Sequence, residues 1–220
     1  MEIKHKGWDW NKVNSDSWNQ ISEEFFPVAF QWKDKFQSVL DIGAGKGRHS
    51  FFFAENGLET TSVDLSKSSI AYIKSKAAEK GLNIHALTAD MTCLPFNDSH
   101  FDCVVCFHTI FHTDFNGIKK ALQEIHRVLK NNGEAFISFI SKENPNYNEA
   151  ESTDGFTIFK DEGGELAIPH CYLNENDLFE ILSDFRIISM NKIQNFIHKG
   201  NTSEGIHFFV HISNHCSPPL

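Results

Sequence analysis

The chain has 220 residues, of which 40% are hydrophobic and 22% charged, so it can form one domain with a sizeable core, unlike a disordered chain. Acidic residues outnumber basic ones by 29 to 20, a formal charge of −9, which argues against a broad nucleic-acid footprint because that needs clustered Lys and Arg. No apolar run reaches the roughly 18 residues of a membrane helix, and the five scattered cysteines indicate reduced thiols, so we expect a cytoplasmic protein with no membrane partner.

Short β-rich runs alternate with helical patterns along the chain, which predicts βαβ units around a mostly parallel sheet. The first helix is expected to begin near Ser15 or Ser17 and to end at Pro27, because proline interrupts a helix. The elements that follow are expected in this order: a strand at 38–42, a helix at 48–55, a strand at 60–64, a helix at 67–80, strands at 83–88 and 101–107, a helix at 118–129 capped by Asn116, and a strand at 135–140.

The segment after the fifth strand is polar and rich in turn residues, and we expect residues 141–172 to form an insertion or lid over one end of the sheet. A helix capped by Asn174 follows, and then two closing strands, 186–193 and 206–212. The loop between these two strands is too short for a crossover, so they should pair antiparallel. The expected fold is α/β, a three-layer sandwich with a seven-stranded, mostly parallel sheet whose last strand is antiparallel.

The most informative motif is the glycine-rich junction between the first strand and the following helix, Gly43-Ala44-Gly45-Lys46-Gly47. Glycines let the backbone turn sharply and let a ligand approach it, and the helix N-terminus offers unpaired N–H groups. Asp64 ends the second strand about 20 residues further on, the spacing at which a carboxylate binds a ribose. The junction therefore predicts a nucleotide-type ligand, although a simple tight turn remains the alternative.

Three kinds of nucleotide site contain such a loop. A phosphate-binding loop is excluded because Gly-x-x-x-x-Gly-Lys-Ser/Thr does not occur. A dinucleotide loop expects a third glycine where Arg48 stands. Asp41, just before the first glycine, would repel a pyrophosphate but suits a ligand that carries an ammonium and a sulfonium. This charge argues against NAD.

Five stretches, in the right order, resemble the motifs of the class I S-adenosylmethionine-dependent methyltransferases. They are residues 39–47, 63–66, 89–96, 101–104 and 122–133. Gly47-Arg48-His49 is similar to a variant found in the small-molecule branch that includes tellurite-resistance-like and ubiquinone-biosynthesis-like enzymes. The resemblance is dense over residues 38–140 and implies S-adenosyl-L-methionine as the cofactor.

The resemblance also implies which residues contact that cofactor. They are Asp41, Gly43, Ala44, Gly45, Arg48, Asp64, Leu65, Asp90, Met91 and Phe107. Asp41 would lie near the amino-acid end of the cofactor, Asp64 would accept hydrogen bonds from the ribose hydroxyls, and Asp90 would meet the adenine amino group. Two alternatives stay open: Asp64 as an ordinary acid at a strand end, and Asp90 as a helix N-cap.

Three histidines are candidate catalytic residues. Methyl transfer is an in-line displacement, so positioning can supply much of the catalysis and a base is needed only if the acceptor loses a proton. His108 and His112 follow the fourth strand and would share a face in a helical turn. His170 follows the insertion and could close over the acceptor. The alternatives are a structural histidine near the cofactor and an ordinary strand start, and no metal is expected because the Glu of His-Glu-x-x-His is missing.

Three further patterns are interpreted separately. Trp8 and Trp10 precede the first strand and are expected to contribute to a lid. Cys103 and Cys106 lie three apart on a strand, so they should point to opposite faces and pack rather than pair. The histidines of the last strand, at 207 and 211, share a face that we interpret as solvated or as an edge.

The expected function is transfer of a methyl group to a small-molecule acceptor by a single methyltransferase domain, as a monomer or homodimer with no nucleic-acid partner. The domain is expected to consist of a helical cap at 1–35, a cofactor-binding half at 36–140, the insertion or lid at 141–172, and a C-terminal helix with closing strands at 173–220. Two alternatives remain: a methyltransferase acting on a protein or RNA, and a catalytically silent S-adenosylmethionine-binding module. The acceptor atom is not implied, because function depends on the site rather than the scaffold.

Overall fold

A computed structural model describes residues 20–159, 167–195 and 205–214. The predicted lid residues Trp8 and Trp10 and the predicted helix starts Ser15 and Ser17 lie outside these ranges. The elements are α1 (Phe26–Lys35), β1 (Ser38–Ile42), α2 (Arg48–Glu55), β2 (Glu59–Asp64), α3 (Lys67–Lys80), β3 (Ile84–Thr88), β4 (Phe101–Cys106), α4 (Phe115–Val128), β5 (Leu129–Ser141), a single 3₁₀ turn (Glu149–Glu151), β6 (Thr157–Phe159), β7 (Pro169–Leu173), α5 (Glu175–Ile181), β8 (Arg186–Asn195) and β9 (Gly205–Ser213).

The main sheet confirms the predicted fold class. β1 pairs in parallel with β2 on one side and with β4 on the other, β3 follows β2, and β5 follows β4. β9 runs antiparallel to β5, and β8 runs antiparallel to β9. The seven strands therefore lie in the order β3-β2-β1-β4-β5-β9-β8, and β9, the last strand in the chain, runs antiparallel to the others. The order reverses between β1 and β4, and ligands of such sheets bind beyond the carboxyl ends of the strands at that point.

The described sheet contains nine strands rather than the expected seven. The two additional strands come from the predicted insertion, where β6 pairs antiparallel with β7, and β7 pairs in parallel with the end of β5 at Ile140 and Ser141. All five residues of β7 are buried, which explains why this segment joins the sheet. The residues around His170 thus form an ordinary strand.

The sheet is covered on both faces, as a three-layer sandwich requires. Successive strand residues alternate between faces: Val39 and Cys103 pack with α1 and α2, whereas Leu40 and Cys106 pack in the larger cluster with α4 and α5. The prediction that Cys103 and Cys106 point to opposite faces is therefore confirmed.

Two helix boundaries differ from the prediction. Pro27 lies in the first turn of α1 rather than at a helix end, because a residue there has no intrahelical N–H bond to lose. Asp114, not Asn116, caps α4, and its side chain accepts a hydrogen bond from the N–H of Gly117 at 2.8 Å. Among the described helices, none combines the length and apolar character needed to cross a bilayer.

Candidate functional site

Two buried carboxylates lie where β1 and β2 end. The Oδ2 atom of Asp41, in β1, accepts hydrogen bonds from the N–H of Ser50 in α2 at 3.1 Å and from its hydroxyl at 2.5 Å. Burial raises the pKa of Asp41 to about 6, although the Ser50 hydrogen bonds and the Arg48 charge act in the opposite direction. The nearby Asp64 charge raises this pKa further. Two such acids favour a cationic ligand, because it would stabilise their ionised forms.

Asp64 ends β2 and holds the glycine loop. Its Oδ2 accepts the N–H of Gly45 at 2.9 Å, and its Oδ1 accepts the N–H of Ser66 at 2.7 Å. Burial raises the pKa of this carboxyl, and the two backbone hydrogen bonds lower it. Each carboxylate oxygen has a second lone pair, so Asp64 retains acceptor capacity for a ligand hydroxyl.

The glycine loop adopts a backbone that other residues rarely adopt. Its left-handed φ values of 67°, 54° and 80° belong to Gly43, Gly45 and Gly47. The N–H groups of Gly43 and Ala44 both donate to the Val63 carbonyl, at 2.8 and 3.0 Å. A Cβ placed on Gly43 would lie 2.2 Å from Thr109, in the turn that follows β4. The loop and this turn are therefore in direct contact, and position 43 requires glycine.

Arg48 and Phe107 meet beside the glycine loop. The guanidinium carbon of Arg48 lies 4.9 Å from the centre of the Phe107 ring, a cation–π distance. Burial lowers the pKa of Arg48, and Asp41 and Glu24 raise it. His49, the next residue, is buried against Phe107, and burial followed by the Arg48 charge keeps its pKa well below the ordinary value. His49 is therefore neutral at pH 7.

The residues expected around an adenine lie at the ends of β2 and β3. Leu65 is half-buried and Met91 is buried. The Oδ1 atom of Asp90 accepts the N–H and the hydroxyl of Thr92, both at 2.8 Å. This Asp90 turn is followed by irregular chain and not by a helix, so the N-cap alternative for Asp90 is wrong.

His108 lies in the turn after β4 and contacts β9. It has a left-handed φ of 49°, which costs a residue with a Cβ on the order of 1 kcal/mol, and its N–H donates to the Ser138 hydroxyl at 2.6 Å. Its ring centre lies 4.8 Å from that of His207. Burial keeps the pKa of His108 well below the ordinary value, and the neighbouring His207 lowers it further.

His112 and His170 form a second pair, with ring centres 4.8 Å apart. The Nδ1 atom of His170 lies 3.1 Å from the Ile168 carbonyl, and because a carbonyl only accepts, this nitrogen carries a proton. Phe111 lies 4.6 Å from His112 and 6.1 Å from His108, measured between ring centres. The chain here forms a single hydrogen-bonded turn, in which the N–H of His112 donates to the Thr109 carbonyl at 2.9 Å, and not a helix. All three predicted catalytic histidines surround Phe111.

The histidines of β9 are not on a solvated edge, contrary to the prediction. β9 lies between β5 and β8, and the His211 Nε2 lies 2.8 Å from Glu134 in the buried part of the strand. His207 is aligned with Ile140 near the carboxyl end of β5, which places it at the site. The antiparallel pairing was predictable, but the register that sets this position was not. Across the described ranges, no three His, Cys, Asp or Glu side chains are grouped to hold a metal ion.

Comparisons with known proteins agree with this geometry. Residues 39–133 match the family described as methyltransferase domain. The uncharacterized methyltransferase YcgJ of Bacillus subtilis is 38% identical over 96 residues, which cover 43% of this chain and 37% of YcgJ. A ubiquinone biosynthesis O-methyltransferase of Coxiella burnetii is 30% identical over 108 residues, 49% of this chain and 45% of that relative.

A solved structure extends the likeness in fold. A structure described as a SAM-dependent methyltransferase from Methanosarcina mazei superposes with a TM-score of 0.73 and 18% identity, covering 89% of this chain and 99% of that one. The sequence matches span less than half the length of the two relatives above. The methyltransferase likeness is therefore strongest in the half that carries the glycine loop.

Proposed function

We propose that the chain is a class I S-adenosylmethionine-dependent methyltransferase, and that it transfers a methyl group from S-adenosylmethionine to a small-molecule acceptor. One observation carries the proposal: the buried carboxylates of Asp41 and Asp64 lie on either side of a glycine loop, at the carboxyl ends of β1 and β2 beside the point where the strand order reverses. A cationic nucleoside-like ligand suits this combination, whereas a pyrophosphate would be repelled.

The residues at the strand ends fit each part of this cofactor. Asp64 has the position at which a carboxylate accepts hydrogen bonds from ribose hydroxyls. Asp41 and Arg48 carry the charges that an amino-acid group needs, a carboxylate for its ammonium and a guanidinium for its carboxylate. Asp90 and Met91, at the end of the neighbouring β3, would hold the adenine, with Leu65 beside it.

The cofactor, when bound, supplies an electrophilic methyl group on a sulfonium. The chain's own residues would bind the acceptor, orient it and exclude water from the reacting atoms. His108 and His112 follow β4 and His170 lies within β7, and all three surround the buried Phe111. Burial keeps the rings of His108 and His112 neutral, so either can accept a hydrogen bond, or a proton where the acceptor must lose one.

A small acceptor is supported by two further facts. The chain carries a formal charge of −9, which does not favour an RNA substrate. The Coxiella burnetii relative is, by its name, an O-methyltransferase of ubiquinone biosynthesis, and such an acceptor is a small molecule rather than a protein.

Calorimetry tests the proposal directly. The full chain should bind S-adenosylmethionine and its demethylated product, S-adenosylhomocysteine. Asp64→Asn should weaken both by about 10- to 100-fold, because a hydrogen bond to a charged group contributes about 1.5–3 kcal/mol. Asp34→Asn, at an acid whose side chain is 69% exposed, is the matched control and should bind both normally. Absence of binding by the unmodified chain would refute the proposed function.

A further inference from the structure

His207 brings a buried nitrogen to the acceptor end of the site. It is aligned with Ile140 of β5, and its ring centre lies 4.8 Å from that of His108. Its Nδ1 atom is buried and has no hydrogen-bond partner among the described residues. A buried polar atom without a partner is unfavourable unless a ligand or a water pairs with it. The position of His207 beside His108 favours a ligand.

The two rings are uncharged at neutral pH. Burial lowers the pKa of His207 to about 4 and holds that of His108 well below the ordinary value. The groups that face His108 are His207 of β9, Arg48 and His49 of α2, and His112 of the following turn. None of these is a carboxylate, and the Arg48 charge is opposed by Asp41 and Glu24. A neutral imidazole offers one donor and one acceptor.

Phenyl rings surround this histidine pair. Phe111 and Phe209 lie 6.0 and 6.3 Å from His207, measured between ring centres. Phe107 lies 4.5 Å from His108, and Phe209 lies 6.1 Å from it. The left-handed backbone of His108 is unfavourable and is typical of residues held in place for binding. The surroundings thus combine apolar flat walls with uncharged hydrogen-bonding groups.

We propose that His207 and His108 together bind the methyl acceptor by a hydroxyl group on a planar apolar compound, of the phenol or enol class. The inference rests on the proposed function and adds His207 to the site. A hydroxyl donates one hydrogen bond and accepts others, which matches two neutral imidazoles. Within the part of the chain that the structure describes, a cationic acceptor would find no carboxylate among the groups that act on His108, and an anionic one would find Arg48 alone, whose charge Asp41 and Glu24 oppose.

Three small probes that share a ring test this pair. Phenol, benzoate and benzylamine are titrated into the full chain saturated with S-adenosylhomocysteine, and binding is followed by the NMR shifts of the histidine ring protons. We expect phenol to bind more tightly than the two charged probes and to move the signals of His108 and His207. His207→Phe keeps the aromatic packing and should weaken phenol about 3- to 10-fold, the loss of one hydrogen bond, whereas His207→Asn should restore part of the affinity.

Two controls separate this inference from the proposed function. His100→Gln, at the amino end of β4 and exposed, should bind phenol as the unmodified chain does. S-adenosylhomocysteine should bind all variants with equal affinity, and this binding also shows that the variants fold. If S-adenosylhomocysteine fails to bind the unmodified chain, the proposed function itself is refuted. The inference is wrong if phenol does not bind, or if benzoate or benzylamine binds better than phenol. It is also wrong if His207→Phe leaves the affinity for phenol unchanged, because the buried Nδ1 atom would then pair with a water rather than with the acceptor.

Discussion

Asp41→Asn removes a charge that the fold keeps almost entirely from solvent, since the residue is 2% exposed. The pKa of this carboxyl rises from the ordinary 3.8 to about 6, and each pH unit corresponds to ~1.36 kcal/mol. Ionised Asp41 therefore costs the folded protein about 3 kcal/mol at neutral pH. Asn keeps one oxygen that can accept the hydrogen bonds from Ser50. We expect the ligand-free variant to be more stable than the unmodified protein by about 1–3 kcal/mol at pH 7.5.

The pH dependence has a definite sign. The folded pKa of Asp41 lies above the ordinary one. The free-energy cost of ionised Asp41 is therefore fully present when the pH is above both pKa values, declines between pH 6 and pH 4, and is absent when the pH is below both. The stability gain of Asp41→Asn should therefore fall by about half between pH 7.5 and pH 5. Urea unfolding of both proteins at the two pH values measures this gain, with the exposed Asp34→Asn as a control that should show neither effect.

The same variant should lose ligand affinity while it gains stability. If Asp41 stabilises the ammonium end of the cofactor, calorimetry should show weaker binding of both S-adenosylmethionine and S-adenosylhomocysteine, by about 10-fold or more. A variant no more stable than the unmodified protein at pH 7.5, or a gain independent of pH, would refute the reasoning about the charge. A more stable variant with unchanged affinity would show that Asp41 does not act on the ligand.

The first half of the fold could be predicted from local sequence signals. The predicted ranges 38–42, 48–55 and 67–80 agree with β1, α2 and α3, because glycines and a serine cap mark their ends. The α4 cap was missed because Asp114 and Asn116 are both good caps, and only packing selects between them. β6 was missed, and β7 appeared only as the strand-start alternative for His170, because the pairing of β7 with β5 is a long-range contact that leaves no local pattern.

The candidate site has a cofactor half, which local sequence signals could predict, and an acceptor half, which depends on long-range contacts. Parallel strands end at one edge of a sheet, so the convergence of Asp41 and Asp64 followed from the strand order alone. His207 reaches the site only through the antiparallel register of β9 on β5, and a shift of one residue would turn it to the other face. The left-handed turn at His108 likewise depends on the contact with Ser138. The acceptor half therefore required the structure.

Two further predictions concern the glycine loop and the base of the sheet. Gly43→Ala should destabilise the protein by more than 2 kcal/mol and abolish S-adenosylhomocysteine binding, because its Cβ would meet Thr109. Gly57→Ala, which has a similar φ but open space, should cost only about 1 kcal/mol in thermal unfolding. Equal losses would refute the close contact. Burial alone would raise the pKa of Glu134. Side-chain hydrogen bonds, of which the one from His211 has the largest effect, lower this pKa to about 2. Its folded pKa therefore lies below the ordinary value, so its stabilisation is present above about pH 4.5 and is lost as the pH falls toward 2. Since the group is partly solvent-screened, Glu134→Gln should cost about 1–2 kcal/mol in urea unfolding at pH 7 and less at pH 4, and an equal cost at both would contradict the argument that these hydrogen bonds stabilise the ionised carboxylate.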